Sequence, residues 1–163
     1  MVIKDKVVKA INKQINAELY SSYLYLAMAA YFVAANLKGF AQWMKVQSRE
    51  ENAHAMKFFE YVLERGGEVV LAKIDEPPAE WKSALGAFED VYAHELKVTS
   101  LINDLLKTAK AEDDTATESL LKWYIDEQVE EEANAVEVLA KLKAIKEAPA
   151  GLYMLDKELG ERK

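Results

Sequence analysis

The chain has 163 residues, of which 51% are hydrophobic and 30% charged, with 28 acidic and 21 basic side chains. The acidic excess argues against a general nucleic-acid-binding protein, which needs a basic face or tail. Cysteine is absent, which excludes disulfides, iron–sulfur clusters, thiolate zinc sites and cysteine nucleophiles. Six glycines and three prolines leave few breaks, so we expect one helical domain over residues 1–163.

The amino terminus and the apolar runs predict a protein without a membrane partner. Residues 1–6 lack the apolar core of a signal peptide. The longest apolar run, residues 23–35, is shorter than the ~20 residues that a bilayer-spanning helix needs. Because the chain also has no cysteine, we expect it in the cytoplasm.

Apolar residues recur at helical spacing along most of the chain. The pattern predicts four long helices and a short fifth, over residues 5–34, 38–65, 79–110, 113–146 and 150–159. Tight breaks around Asn36 and Asp113 predict that the first and second helices are antiparallel, as are the third and fourth. Residues 66–78 begin with two glycines and end with two prolines, and they have no helical period. The sequence therefore predicts an all-α four-helix bundle with one long crossover between its second and third helices.

Polar, metal-ligating side chains interrupt the inward apolar stripe of every long helix. They lie about 13–18 residues from the predicted helix starts, which a rise of ~1.5 Å per residue places roughly 20–27 Å along each helix. Antiparallel helices of similar length meet at their midpoints, so these groups are predicted to converge on one layer. The residues concerned are Glu18, Glu51, His54, Glu95 and Glu131, with Glu127 beside them.

Buried carboxylates are costly unless they are paired, protonated or bound to a cation. A lone buried glutamate usually pairs with a lysine or arginine, and a lone histidine is usually a hydrogen-bonded core residue. Here the inward stripes carry no basic residue at that depth, so a metal site is the preferred interpretation. Oxygen ligands with one imidazole favour iron or manganese over structural zinc. Glu51 and His54, three residues apart, can hold the same ion.

Three neighbouring residues receive different interpretations. Tyr25 faces inward, and two readings stay open: a core aromatic with a tethered hydroxyl, or a residue that orients or exchanges electrons with the metal centre. His94 follows a different face from Glu95, and we predict that it lies at the surface. Glu132 is predicted to face solvent as part of an acidic run.

Four stretches resemble the signature segments of non-haem ferritins of the bacterial and archaeal type. They are residues 18–25, 50–55, 94–95 and 123–132, and their order, their spacing and the crossover match over essentially the whole chain. The resemblance implies the ferritin-like bundle, in which carboxylate and histidine side chains bind two irons.

The resemblance also implies three iron positions. Glu18, Glu51 and His54 would hold the first iron, and Glu51 would bridge to a second that Glu95 and Glu131 also bind. Gln128 would form a hydrogen bond at the centre, with Tyr25 beside it. The third, nearby site would use Glu131 together with Glu50, Glu127 and Glu130.

The sequence lacks features that are typical of three related families. Bacterioferritins carry a second Glu-x-x-His motif, whereas residues 127–130 contain no histidine, and their haem-ligating methionine is replaced by Asn52, so no haem is expected. The DNA-binding starvation ferritins place their ligands between subunits and often carry basic tails, and rubrerythrins usually add a cysteine-rich module. This chain matches none of these patterns.

The resemblance implies iron storage and detoxification. A ferroxidase centre would oxidise Fe(II) with dioxygen or peroxide, and ferric oxyhydroxide would collect inside a homo-oligomeric shell of twenty-four copies, with the fifth helix lining pores at the fourfold axes. One alternative is a di-iron carboxylate oxidase or peroxidase that stores no mineral. Another is a helical interaction module whose carboxylates form a buried polar network.

Overall fold

The computed structural model describes residues 2–146 and 148–163, and within these ranges the chain forms five helices and no strands. This confirms the predicted all-α four-helix bundle, with its long crossover and its short fifth helix at the carboxyl-terminal end. The helices are α1 (Asp5–Ala34), α2 (Lys38–Glu64), α3 (Ala84–Ala111), α4 (Thr115–Ile145) and α5 (Pro149–Leu159). In the described residues, no helix is both long and apolar enough to span a bilayer.

The helix ends agree with the predicted ranges to within two residues except at the start of α3. The sequence pattern placed that start at residue 79, directly after the two prolines, and this was wrong by five residues. Ser83 is the N-cap, and its hydroxyl accepts a hydrogen bond of 3.0 Å from the Gly86 amide. Residues 79–83 therefore belong to the crossover, where Trp81 Nε1 donates to Asp90 at 2.9 Å.

The crossover between α2 and α3 is fastened to α1 by two asparagines one helical turn apart. Asn12 Nδ2 donates to the Glu68 carbonyl at 3.0 Å, and Asn12 Oδ1 accepts from the Val70 amide at 3.2 Å. Asn16 Nδ2 donates to the Lys73 carbonyl at 3.0 Å. These bonds satisfy backbone groups of a segment that has no ladder or helix partners of its own.

The bundle interior contains two apolar clusters on either side of a polar layer. One cluster joins the carboxyl-terminal halves of α1 and α4 to the amino-terminal halves of α2 and α3, with Phe32, Phe40 and Phe88 in mutual contact. The other joins the opposite halves, where Phe58 stacks on Tyr124 with ring centroids 3.9 Å apart. Helices α2 and α3 therefore run in the same direction, as the long crossover requires.

Helix α5 docks against the start of α2 at very close range. Asp156 Oδ1 accepts a hydrogen bond of 2.9 Å from the Phe40 amide, a free N–H in the first turn of α2. A β-carbon built on Gly39 would come within 1.6 Å of the Asp156 carbonyl oxygen, so only glycine permits this approach. Leu155 and Leu159 of α5 are buried in the apolar cluster that contains Phe40.

Candidate metal centre

Three groups of ligand-bearing side chains lie in the polar layer between the two apolar clusters. In each group, one ligand atom per residue lies within 4.8 Å of the others. Both Glu51 and Glu131 belong to two groups, and His54 also belongs to two. The groups are Glu18, Glu51 and His54; Glu51, Glu95 and Glu131; and His54, Glu127 and Glu131. The predicted convergence of all four long helices at one level is therefore present.

The first group places two carboxylates around one imidazole. His54 Nδ1 lies 3.4 Å from Glu51 Oε2 and 4.0 Å from Glu18 Oε2. All three side chains are buried. Among the described residues, Glu18 Oε2 and Glu51 Oε2 are buried oxygens without a hydrogen-bond partner. Two such oxygens beside an imidazole nitrogen form a set of ligand atoms that suits a divalent cation.

The second group shares Glu51 with the first and is bonded to two neighbouring residues. The Tyr25 hydroxyl donates to Glu95 Oε1, and Gln128 Nε2 donates to Glu95 Oε2 at 3.2 Å. Gln128 also donates to the Thr99 hydroxyl oxygen at 3.1 Å. Glu95 is thus held in one orientation by partners from α1 and α4.

Burial and mutual repulsion raise the pKa values of the clustered carboxyl groups. Burial raises the pKa of Glu18 well above its usual value, and the charge of Glu51 adds to this effect. Burial, followed by the charges of Glu95 and Glu131, raises the pKa of Glu51. For Glu131, burial and then the charge of Glu95 raise the pKa to about 7. Without a cation, the layer therefore keeps protons at pH values where exposed glutamates are ionised.

The residues expected at a third site lie in three different surroundings. Glu127 is half-buried, and its Oε2 lies 3.6 Å from His54 Nε2, on the opposite edge of the imidazole from Glu18 and Glu51. Glu130 is exposed on α4. Glu50 forms an ion pair with Arg162, with Nη2 and Oε2 2.7 Å apart. The structure therefore brings Glu127 to the centre but does not bring Glu50 and Glu130 into the same group.

Two buried glutamines beside the centre had no role in the sequence-based prediction. Gln14 Nε2 donates to Glu18 at 2.9 Å, and Gln47 Nε2 donates to Glu51 at 3.2 Å. In both cases the glutamine precedes the glutamate by four residues, a spacing that places the two side chains on the same helix face. The Gln-x-x-x-Glu pattern, present on α1 and on α2, was the signal that could have revealed them. Gln47 also donates to Glu131 Oε2 at 2.6 Å.

Two residues assigned to the surface from their spacing are half-buried instead. His94 Nε2 lies 2.7 Å from the Ser21 hydroxyl, and burial, then the charge of Lys97, lowers the pKa of His94 to about 4. Glu132 accepts a hydrogen bond of 2.6 Å from the Thr99 hydroxyl. Both surface assignments were wrong because α1 and α3, and α3 and α4, pack closely enough to cover side chains at the edge of the inward stripe.

Comparison with known proteins identifies the family to which this chain belongs. The model of the ferritin-like domain family matches residues 8–145. A bacterial non-heme ferritin from Bacteroides fragilis is 44% identical over 161 residues, covering 99% of this chain and 100% of the relative. This chain belongs to the non-haem ferritins. A probable bacterial non-heme ferritin-like protein from Haemophilus influenzae is 38% identical over 98% of this chain and 96% of its own length.

Solved archaeal ferritins have the same fold as this ferritin chain. The open-pore ferritin of Archaeoglobus fulgidus superposes with a TM-score of 0.98 at 54% identity, covering 99% of this chain and 98% of the other. A closed form of that ferritin, engineered by site-directed mutagenesis, gives the same TM-score at 55% identity. Both agree with the family inferred from residues 18–25, 50–55, 94–95 and 123–132.

Proposed function

We propose that this chain is the subunit of an iron-storage protein and that its polar layer is a ferroxidase centre oxidising Fe(II) to Fe(III). One observation carries the proposal: two buried carboxylate oxygens, on Glu18 and Glu51, face a single imidazole and have no hydrogen-bond partner among the described residues. Buried charged groups of this kind require a cation or a proton. Membership of the ferritin family supports iron as that cation.

The first Fe(II) would bind to Glu18, Glu51 and His54. The second would bind to Glu95 and Glu131, with Glu51 bridging the two ions. Each ion replaces protons on carboxyl groups whose pKa values are raised, so binding releases protons into the site. The resulting carboxylates are hard oxygen ligands that stabilise Fe(III) more strongly than Fe(II).

Oxidation of the iron pair supplies two electrons to the oxidant. Dioxygen takes up these electrons with two protons and becomes hydrogen peroxide, or peroxide takes them up with two protons and becomes water. Burial raises the pKa of Tyr25, and the charge of Glu95 raises it further, so its hydroxyl stays protonated and continues to donate to Glu95. Tyr25 and Gln128 would therefore orient Glu95 while the metal charge changes.

Storage requires a shell, and we propose that copies of this chain form the homo-oligomeric cage of twenty-four subunits. Exposed apolar residues on α1 and on the crossover beside it are available for subunit packing. They include Tyr23, Leu26, Val70, Leu71 and Ile74. Trp81 is less available for this role, because Tyr31 of its own chain lies against it, with ring centroids 5.5 Å apart.

His54→Ala tests the ferroxidase centre. We expect the initial rate of Fe(II) oxidation to fall by about 10–100-fold, because even loss of an outer-shell partner costs that much and His54 would contact the ion directly. The elution volume in size-exclusion chromatography should not change. Stopped-flow absorbance of Fe(III) formation is the measurement, and His94→Gln is the matched control, since it removes the other imidazole and keeps a partner for Ser21.

The same experiment separates the proposal from its two alternatives. A di-iron oxidase or peroxidase would turn over but elute at low mass and retain no iron after loading. A helical interaction module would bind no stoichiometric Fe(II), and His54→Ala would change nothing. Rapid oxidation by His54→Ala at the wild-type rate would reject the centre described here.

A third iron site near Glu127 is also proposed, with Glu50, Glu130 and Glu131 as further ligands. Glu130→Ala is expected to lower the number of irons bound per subunit while leaving the initial oxidation rate little changed, because Glu130 lies outside both groups that contain Glu51. Anomalous diffraction from iron-soaked crystals would count the ions. Asp126→Ala, which removes another exposed carboxylate of α4, is the control. A full third peak in Glu130→Ala would contradict the ligand role.

A further inference from the structure

The arginine next to the carboxyl terminus reaches the edge of the metal centre. Arg162 Nη1 donates to Gln47 Oε1 at 2.9 Å and to the Trp43 carbonyl at 3.3 Å, and its guanidinium carbon lies 4.5 Å from the centre of the Trp43 ring. Its Nη2 donates to Glu50 Oε2 at 2.7 Å. The planar guanidinium thus binds side chains on two successive turns of α2, which suits the fixed geometry of its donors.

Gln47 links this arginine to two of the proposed iron ligands. The residue is 1% exposed, and its amide nitrogen donates to Glu131 Oε2 at 2.6 Å and to Glu51 Oε1 at 3.2 Å. Both amide protons are therefore used at carboxylates, and the amide oxygen is used at Arg162. Every hydrogen-bonding group of the buried amide has a partner only in this orientation.

The amide of a glutamine can rotate by half a turn and exchange its oxygen and nitrogen. In the rotated state, Gln47 Oε1 would face the oxygens of Glu51 and Glu131, and its NH₂ group would face Arg162. When the carboxyl groups are ionised, as they must be to bind a metal ion, acceptor would then meet acceptor, and donor would meet donor. Arg162 thus stabilises the orientation in which Gln47 donates to the two carboxylates.

The position of Arg162 depends on how α5 docks. Asp156 binds the Phe40 amide, and the chain leaves α5 only a few residues later. Gln42 Nε2 then donates to the Arg162 carbonyl at 3.2 Å, so backbone and side chain are both attached to α2. The side chain of Arg162 is 19% exposed, which limits competition from water.

We propose that Arg162 is a positioning residue of the ferroxidase centre: by fixing the amide of Gln47, it sets the orientation of Glu51 and Glu131 and so the affinity for the second metal ion. This inference rests on the proposed function, because it takes Glu51 and Glu131 as ligands. It assigns the carboxyl-terminal segment a role at the centre itself, in addition to any role of α5 in packing between subunits.

The test is a calorimetric titration of the metal-free protein with Co²⁺, which occupies divalent sites without being oxidised by air. Arg162→Gln is expected to weaken binding of the ion held by Glu131 by about 10–100-fold, the usual effect of losing an outer-shell partner. The ion held by Glu18 and His54 should change less. Lys163→Gln removes the adjacent positive charge and should behave as the wild type.

A double-mutant cycle with Gln47→Leu identifies the route. If Arg162 acts through Gln47, then Arg162→Gln has no further effect on Co²⁺ affinity in the Gln47→Leu background. Additive effects would overturn the inference, as would an Arg162→Gln titration identical to that of Lys163→Gln. If the wild type itself binds no stoichiometric Co²⁺, the proposed centre fails instead, so the two failures are distinguishable.

Discussion

Glu51→Gln is expected to abolish rapid Fe(II) oxidation, with a fall in initial rate of at least about 100-fold. Glu51 contributes to both the Glu18–His54 group and the Glu95–Glu131 group, so its loss affects both proposed ions at once. Loss of an outer-shell partner alone costs about 10–100-fold, and a bridging ligand contacts the metal directly. Stopped-flow measurement of Fe(III) formation under excess oxygen is the readout.

Stability distinguishes this loss from misfolding. The Glu51 carboxyl is buried beside other carboxyls, and its Oε2 has no hydrogen-bond partner in the described part of the chain. The isosteric amide replaces a carboxyl that must either hold a proton or repel its neighbours, so the metal-free variant should unfold at the same temperature as the wild type or higher. Glu60→Gln, an exposed change on the same helix, is the control. Wild-type oxidation by Glu51→Gln would show that this residue does not bridge the two irons.

The metal-free protein is expected to lose stability as the pH rises from 5 to 8. The pKa of Glu131 is about 7 in the folded state, whereas an unfolded glutamate titrates near 4.3. A raised folded-state pKa gives stability that is complete below the unfolded value and is lost as the pH passes the folded value. For Glu131 alone the loss is on the order of 3 kcal/mol, and the raised pKa values of Glu18, Glu51 and Glu95 act in the same direction.

Thermal unfolding of chelator-treated protein across this pH range measures the effect. Glu131→Gln should make the pH dependence shallower, because the amide has no proton to lose, while the remaining slope comes from Glu18, Glu51 and Glu95. Glu60→Gln should leave the pH dependence as in the wild type. Saturating Co²⁺ should reverse the trend, since the metal binds the deprotonated carboxylates. A stability of the metal-free protein that is constant or increases between pH 5 and 8 would contradict the assignment.

Helix positions and the inward-facing residues followed from local spacing. Each long helix buries the face that its apolar period defines, so Glu18, Glu51, Glu95 and Glu131 could be assigned to the interior without knowledge of the packing. Their meeting at one level followed from similar helix lengths and from the crossover. The exception was the start of α3, because the Ser83 side chain, rather than the end of the proline pair, caps that helix.

Residues at the edges of the inward stripes were harder to assign. His94 lies off the stripe of α3, and its burial arises from Ser21 and Tyr20 on the facing helix. Gln47 lies on the stripe of α2, but its spacing alone does not reveal that its nitrogen bonds to Glu131 on another helix. Such contacts depend on the distance and rotation between neighbouring helices, which periodicity does not specify.

Sequence spacing therefore determines features within one helix, whereas contacts between helices are determined only by the packed structure. The composition of each helix face and the carboxylate–histidine pattern are local properties, and they were enough to predict the cluster of Glu51, His54, Glu95 and Glu131. The family was inferred from the resemblance of four short segments, which are also local. The contact between Arg162 and Gln47 joins residues 115 positions apart. It exists because Gly39 lets α5 approach the backbone of α2, so only the packed structure brings the carboxyl terminus to the centre.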